Sequence, residues 1–301
     1  MRENFKNRVR RTMMFLNAQR PALMKDAYVY GPDSVIMDLE DAVSENQKDA
    51  ARLALFNNLR SVDYGGVERI VRINGLDTPY WWEDIRASVA GGADAVRIPK
   101  CERADEVRQA ELAIEAAEAE FSAEPGNTAI MAAIESPKGV LNALSICEAS
   151  PRMFGVAISG GDLRVALQTK RYPSGVEMAA SRGAVLLAAR AAGVQCFDTV
   201  FTDLDDAEGF KAEVKMIREM GFDGKSIVHP KQIAVVHEIF TPSSREIMEA
   251  ERVLSGLREN SERGVGVFIV DGRMIDVAFM KGAERTLALA RAGGAYKGDL
   301  I

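Results

Sequence analysis

The sequence predicts an α/β protein built as a (β/α)8 TIM barrel with a C-terminal helical and hairpin extension. Three observations predict it. Short apolar runs recur roughly every 30 residues, as barrel units do. Helix-forming segments separate them, and most runs end on a charged or polar residue. Val35-Ile36-Met37 leads to Asp38-Leu39-Glu40-Asp41, Ile70-Val71 to Arg72-Ile73-Asn74, and Ala95-Val96 through Arg97-Ile98-Pro99 to Lys100. Ile130–Ile134 stops at Glu135, and Val156-Ala157-Ile158 leads through Ser159-Gly160-Gly161 to Asp162. Parallel strands buried on both faces read as continuous apolar runs. In a barrel their C-terminal ends converge on one mouth, so the pattern also predicts where chemistry occurs.

Eight strands are expected: Thr12–Leu16, Ser34–Met37, Ile70–Ile73, Ala95–Ile98, Ile130–Ile134, Val156–Ile158, Thr199–Phe201 (with a start as early as Gln195) and Ser226–Val228. Between them, Glu102–Glu120 is rich in strong helix formers. Glu177–Ala192 is a second helix ended by Gly193, and Asp205–Met220 a third ended by Gly221. Such alternation argues for parallel strands with right-handed crossovers. A doubly wound open sheet is the rival, but no Gly-x-Gly-x-x-Gly follows a strand and eight units suit closure. The barrel is assigned to residues 1–240 and an extension to 241–301. Within the extension a helix spans Ser244–Leu257, two strands flank Asp271-Gly272 between Gly266 and Ile275, and a last helix runs from Val277 to Arg291. This segment is expected to pack on the barrel or on a neighbouring subunit.

The chain has 301 residues, 47% hydrophobic and 27% charged, with a net charge of −6. The length suits one barrel of about 250 residues plus an appendage. The negative charge argues against nucleic acid or an anionic membrane as partner. No apolar run approaches the ~20 residues that span a bilayer, and the apolar stretch after the basic N-terminus is too short for a signal-peptide core. Three cysteines without a Cys-x-x-Cys pair fit a reducing, cytoplasmic setting. With only two histidines a zinc site is disfavoured. A metal here is expected to be hard and carboxylate-bound, Mg2+ or alternatively Mn2+.

Glu135 and Asp162 end consecutive strands, which lie about 5 Å apart in a sheet, so they could share one divalent ion; separate surface carboxylates or helix caps are the alternative. Gly160 and Gly161 could admit a ligand to their bare backbone and bind an anion through their amides, or form a plain αL turn. Arg72, inside an apolar run, could hold a substrate carboxylate bidentately or pair with the Asp38–Asp41 cluster. Arg97 and Lys100 pose the same question, with structure the preferred answer. Glu40 could orient Arg72, hold water on a cation, or act as a base. Asp41 could cap a helix, and His229 before Pro230 reads as structural.

At these residues the chain resembles the citrate lyase beta subunit, within a wider family of acyl-CoA lyases that includes malyl-CoA and citramalyl-CoA lyases. The likeness covers nearly the whole chain. It rests on Asp38-Leu39-Glu40-Asp41-Ala42-Val43, Val71-Arg72-Ile73-Asn74, Ile98-Pro99-Lys100, Ala133-Ile134-Glu135-Ser136-Pro137, Gly221-Phe222-Asp223-Gly224-Lys225-Ser226 and Gly272-Arg273-Met274-Ile275-Asp276. The resemblance implies a barrel whose extension is exchanged between subunits of a homotrimer or hexamer. It implies magnesium on Glu135 and Asp162, a substrate carboxylate on Arg72, and Asp276 reaching the site of the adjacent subunit. It also implies a citryl thioester as substrate, carried on CoA or a phosphopantetheine-type acyl carrier, with oxaloacetate and an acetyl thioester as products. Acyl carrier and transferase subunits of a citrate lyase complex are the implied partners. Two departures leave open a stand-alone homologue and the identity of the carrier: Asn17-Ala18 stands where relatives have Pro-Gly, and Ser159-Gly160-Gly161-Asp162 where the citrate lyase subunit has Gly-Ala-Glu-Asp. The alternatives are a malyl-CoA or citramalyl-CoA lyase and, in a different class, a non-catalytic assembly subunit.

Overall fold

A computed structural model of the chain describes Phe5, residues 8–262 and residues 266–301. Eight parallel strands close into a barrel in sequential order. They are β1 (Thr12–Asn17), β2 (Ser34–Asp38), β3 (Glu68–Arg72), β4 (Ala95–Ile98), β5 (Ala129–Ile134), β6 (Met153–Ile158), β7 (Gln195–Asp198) and β8 (Gly224–Ile227). Closure is made by β1 against β8, with Thr12 opposite Lys225 and Met14 opposite Ile227. The helices Ala104–Glu120, Val176–Ala192 and Ala207–Met220 fall where the helix formers predict them. One expectation is corrected. β7 ends at Asp198, so Thr199–Phe201 lies beyond it. The polar run Gln195-Cys196-Phe197-Asp198 hides this strand, because its polar ends make buried contacts that apolar patterning does not register.

Strand alternation sorts each side chain inward or outward. Met13, Ile36, Ile70, Ala95, Met131, Phe154 and Phe197 meet inside the barrel, with Phe15 packed against them. Gly155 leaves room for Phe197, whose Cε2 would lie 2.7 Å from a Cβ at this position. The N-terminal end of the barrel is closed by a buried ion pair. Arg10 donates from Nε and Nη2 to Glu68, each at 2.7 Å, and Ser34 Oγ donates to the same carboxylate at 2.7 Å. The Arg10 guanidinium also packs on the Phe5 and Phe154 rings. This bond set uses the carboxylate fully and makes that end structural.

A second buried network ties the barrel wall to two helices. Arg182 donates to both oxygens of Asp198, at 2.8 and 3.0 Å. Lys225, opposite Asp198 in the β7–β8 register, donates to Asp198 at 2.8 Å, to the Thr199 carbonyl and to Glu213. Burial opposes ionisation of Asp198, but Lys225 and Arg182 outweigh it and hold its pKa below the ordinary carboxylate value.

The chain divides into two compact units, one running to Val236 and the other spanning His237–Ile301. In the second unit the helices Ser244–Glu262 and Met280–Ala292 pack through Val253, Leu254, Ala283 and Leu287. The strands β9 (Val267–Val270) and β10 (Arg273–Asp276) form the expected hairpin. Asp271 and Gly272 both have positive φ, 50° and 78°, as a type I′ turn requires. Among the described residues no helix is long and apolar enough to cross a membrane.

Removing one partner from a buried ion network strands the other charges. Asp198→Ala is expected to lower stability by about 3–5 kcal/mol, read as a lower urea midpoint.

Candidate active site

The C-terminal strand ends carry a second set of ionisable side chains, and these are only partly satisfied. Two-residue alternation takes Ile36 to Asp38, Ile70 to Arg72 and Ala95 to Arg97, so each polar residue sits on the interior side above an apolar one. Asp38, Arg72 and Arg97 are direct register partners across β2, β3 and β4. Glu135 follows β5 directly. Ser136 then caps a short helix by accepting from Gly139 N at 3.1 Å, with Pro137 at its first position. That start signal ends the strand and leaves Glu135 at its rim.

Arg72 is held tightly. Its Nε and Nη2 each donate to Asp38 at 2.7 Å. Its Nη1 lies 2.8 Å from Glu40 Oε2, an ion pair off the hydrogen-bond direction. The pairing with Asp38 and Glu40 foreseen as the alternative is thus made. A guanidinium has five N–H donors, and the Asp38 pair engages one on Nε and one on Nη2, so Arg72 keeps donors for a substrate carboxylate. Glu40 also meets Lys100 Nζ at 2.8 Å. The Glu40 carboxylate is held between two cations, so of the three roles expected for it the geometry fits orientation of Arg72.

Lys100, set aside on sequence grounds, stands at the centre of the mouth. Its Nζ lies 3.4 Å from Asp41 and 4.0 Å from Asp162. Its backbone has φ 49°, an uncommon left-handed conformation for a residue with a Cβ. Burial pulls its pKa down, but Glu40 and Asp41 outweigh burial and raise it. The amine stays protonated and is no nucleophile, which agrees with chemistry that needs no Schiff base. Asp41 is not a helix cap: a 3-10 turn at Glu45–Gln47 separates it from the helix at Lys48.

Two clefts meet at Lys100. One, of about 360 Å³, is lined by Lys100, Glu102, Glu135, Ser136 and Asp162. The other, of about 520 Å³, is lined by Glu40, Asp41, Lys48, Asn74, Tyr80 and Lys100. The expected carboxylate pair therefore shares one cavity. Asp162 is half exposed and Glu135 only 4% exposed, with Oε1 lacking any hydrogen-bond partner. Burial is the main reason the Glu135 pKa rises to about 7; Glu40 adds to it, while Arg97, Arg72 and the Lys100 amide oppose it. An orphaned, buried carboxylate beside a second one fits a hard divalent cation. Among the described residues no three His, Cys, Asp or Glu side chains converge as ligands, so water or substrate would complete the shell.

The glycines differ from expectation. Neither Gly160 nor Gly161 has positive φ; both lie in the first turn of the helix Gly160–Ala166, so the αL turn is not formed. The Gly160 amide donates to Thr199 Oγ1 at 2.7 Å and is not free for an anion. A side chain at Gly160 would strike Arg164 and Thr199, whereas Gly161 faces open space. Asn17 links two loops at the mouth, donating to the Ala42 carbonyl and accepting from Gln19 N. His229 Nδ1 accepts from Lys231 N at 3.1 Å, a local helix-start contact. Asp276 belongs to the second unit, where its Oδ1 accepts from Ala278 N at 2.8 Å.

The family model described as HpcH/HpaI aldolase/citrate lyase matches residues 11–230, nearly the whole barrel. The chain belongs to the HpcH/HpaI aldolase/citrate lyase family. A second family model, for C–C bond lyases of the TIM-barrel fold, matches residues 174–295. The citrate lyase subunit beta of Leuconostoc mesenteroides subsp. cremoris is 47% identical over 285 residues, covering 95% of this chain and 94% of that protein. A (3S)-malyl-CoA thioesterase of Cereibacter sphaeroides is 36% identical, covering 95% and 96%. The CitE protein of Mycobacterium tuberculosis, solved with magnesium, acetoacetate and coenzyme A, superposes with a TM-score of 0.73 at 31% identity. That match covers 94% of this chain and 98% of the other. Membership of a carbon–carbon lyase family agrees with a mouth of paired acids and bases.

The Glu135 carboxyl is predicted to show its burial in the metal-free protein. Below its ordinary value of 4.5 it is neutral in folded and unfolded chains alike. Between 4.5 and about 7 it ionises first in the unfolded chain, so its contribution destabilises the fold as pH rises. Glu135→Gln should therefore raise the thermal midpoint at pH 8 in the presence of chelator and leave it unchanged near pH 4.5.

Proposed function

We propose that this protein is a magnesium-dependent lyase that cleaves a citryl thioester to oxaloacetate and an acetyl thioester. The observation that carries the reading is the buried Glu135 carboxylate, its Oε1 without a hydrogen-bond partner, in one cavity with Asp162 and two strands from Arg72. Identity of 47% to a citrate lyase subunit beta supports the choice of acyl group. Acetoacetate and coenzyme A in the CitE structure, and oxaloacetate with magnesium in a citrate lyase beta subunit of M. tuberculosis, support an oxo acid and a thioester carrier as ligands.

Glu135 and Asp162 would hold the cation, which supplies Lewis-acid stabilisation to the substrate hydroxyl and the carbonyl it becomes. Arg72 holds the adjacent carboxylate through the donors that Asp38 leaves open, and the Asp38 clamp fixes its plane. The hydroxyl proton is lost to solvent and the C–O bond becomes a carbonyl. The carbon–carbon bond breaks, and its electron pair moves onto the thioester as an enolate. Asp276 from a neighbouring copy donates the proton that turns the enolate into the acetyl thioester. This last role requires a homo-oligomer, for which we propose a trimer or hexamer. Three buried, free cysteines support a reducing cytoplasmic setting.

The carrier is CoA or a phosphopantetheine-type acyl carrier, and acyl carrier and transferase subunits are the partners in the second case. A malyl or citramalyl thioester is the second reading, supported by 36% identity to (3S)-malyl-CoA thioesterases.

Release of oxaloacetate from citryl-CoA, followed in a coupled reduction assay, tests the reading. Glu135→Ala and Asp162→Ala should each lose at least about 10²-fold in turnover; full magnesium-dependent activity in either would refute the site. Asp276→Ala should be inactive alone. Mixed and reassembled with Glu135→Ala it should regain part of the activity, because some mouths then receive an intact Asp276 from the other variant; no recovery would rule out exchange.

A further inference from the structure

Two buried charges of opposite sign at the mouth have no ion-pair partner among the described residues. Asp38 and Glu40 are both taken by Arg72 and Lys100. Glu135 is left, and so is Arg97. Arg97 is 1% exposed, the Nε has no partner, and the one polar contact of the side chain is Nη1 to Ser226 Oγ at 3.4 Å, the far limit of a hydrogen bond. Its guanidinium carbon lies 5.2 Å from the Phe15 ring centre, and that of Arg72 lies 5.0 Å from the same ring. The two arginines are register neighbours on β3 and β4.

A buried guanidinium without an anion is costly, by several kcal/mol. Folding gains nothing from it, because an apolar side chain would fill the same space without that penalty. Elsewhere the molecule does not tolerate this: Arg10, Arg152 and Arg182, equally interior, each have a bidentate carboxylate. Burial, with repulsion from Arg72, lowers the Arg97 pKa to about 10 against the opposing pull of Glu135, Asp38 and Glu40, so it remains a cation at neutral pH. Arg97 and Glu135 feel each other's charge, but among the described residues neither makes a direct ion pair, so Glu135 has room for a cation and Arg97 for an anion. A cation bound together with a multiply charged substrate supplies both.

We infer that Arg97 is a specificity-determining residue that receives a second substrate carboxylate, so the site selects acyl groups whose oxo-acid product is a dicarboxylate. Arg72 takes the carboxylate next to the reacting carbon, and Arg97 takes the distal one across the Phe15 ring. The assignment rests on the lyase reading and adds to it a rule for discrimination. A monocarboxylate oxo acid would leave Arg97 unpaired and bind more weakly.

Calorimetry with magnesium, titrating oxaloacetate and pyruvate separately, tests this without turnover. Wild type is expected to prefer oxaloacetate. Arg97→Met should weaken oxaloacetate on the order of 10²-fold, leave pyruvate within about threefold, and keep or raise the thermal midpoint because a buried charge is removed. Arg97→Lys should retain part of the preference. The same split should appear in kcat/KM for citryl-CoA against malyl-CoA. Equal losses for both oxo acids, or a fall in thermal midpoint with unchanged selectivity, would make Arg97 structural and overturn the inference while leaving the lyase reading standing. Failure of wild type to bind either oxo acid with magnesium would overturn both.

Discussion

The bidentate ion pair between Arg72 and Asp38 is the contact on which the mouth of the barrel depends. It joins β2 to β3 at their last register pair and fixes the guanidinium plane. Glu40 is aligned against that plane, and Lys100 is aligned against Glu40. Lys100 in turn stands where the two clefts meet. A single buried pair thus organises a chain of four charges. Its partners are side chains of adjacent strands, which the sheet holds rigidly, so little conformational entropy is lost when substrate arrives.

The same barrel treats buried charge in two ways. At its N-terminal end Arg10 and Glu68 pair with each other, and on its outer wall Asp198, Arg182, Lys225 and Glu213 pair in the same way, with only Arg182 Nη1 left over. Those networks stabilise only while complete. At the C-terminal end Glu135 Oε1 and Arg97 Nε are left without partners. An unsatisfied polar atom in the interior lowers stability; Glu40 Oε2, also at the mouth, lacks a hydrogen-bond partner but sits in an ion pair with Arg72, whereas Glu135 and Arg97 have neither and leave binding capacity for something outside the chain.

Much of this was legible in the linear pattern. Apolar runs with polar ends specify buried parallel strands, since no other element hides both faces of so short a segment. Seven of the eight strands fall on those runs with boundaries shifted by a few residues, and the Asp271-Gly272 hairpin appears where its turn residues demand. β7 escaped because its two ends are polar: half-buried Gln195 is partnered by Arg10, and buried Asp198 by Arg182 and Lys225 from other elements. Glu135, Asp162, Arg72 and Glu40 were visible as strand endings. Lys100 and Arg97 were visible too but were read as structural, because an arginine in an apolar run with carboxylates nearby in sequence is most simply paired with one.

The sequence by itself determined the barrel, the strand ends that carry its chemistry and the hairpin extension, because these follow from periodicity and turn chemistry, which are local. Tertiary structure alone decided which charge pairs with which. Asp38 and Glu40 are consumed by Arg72 and Lys100, and the Gly160 amide by Thr199, so Arg97 and Glu135 remain open. Pairing is a matter of distances of a few ångströms between residues tens of positions apart, and only closure of the barrel sets those distances.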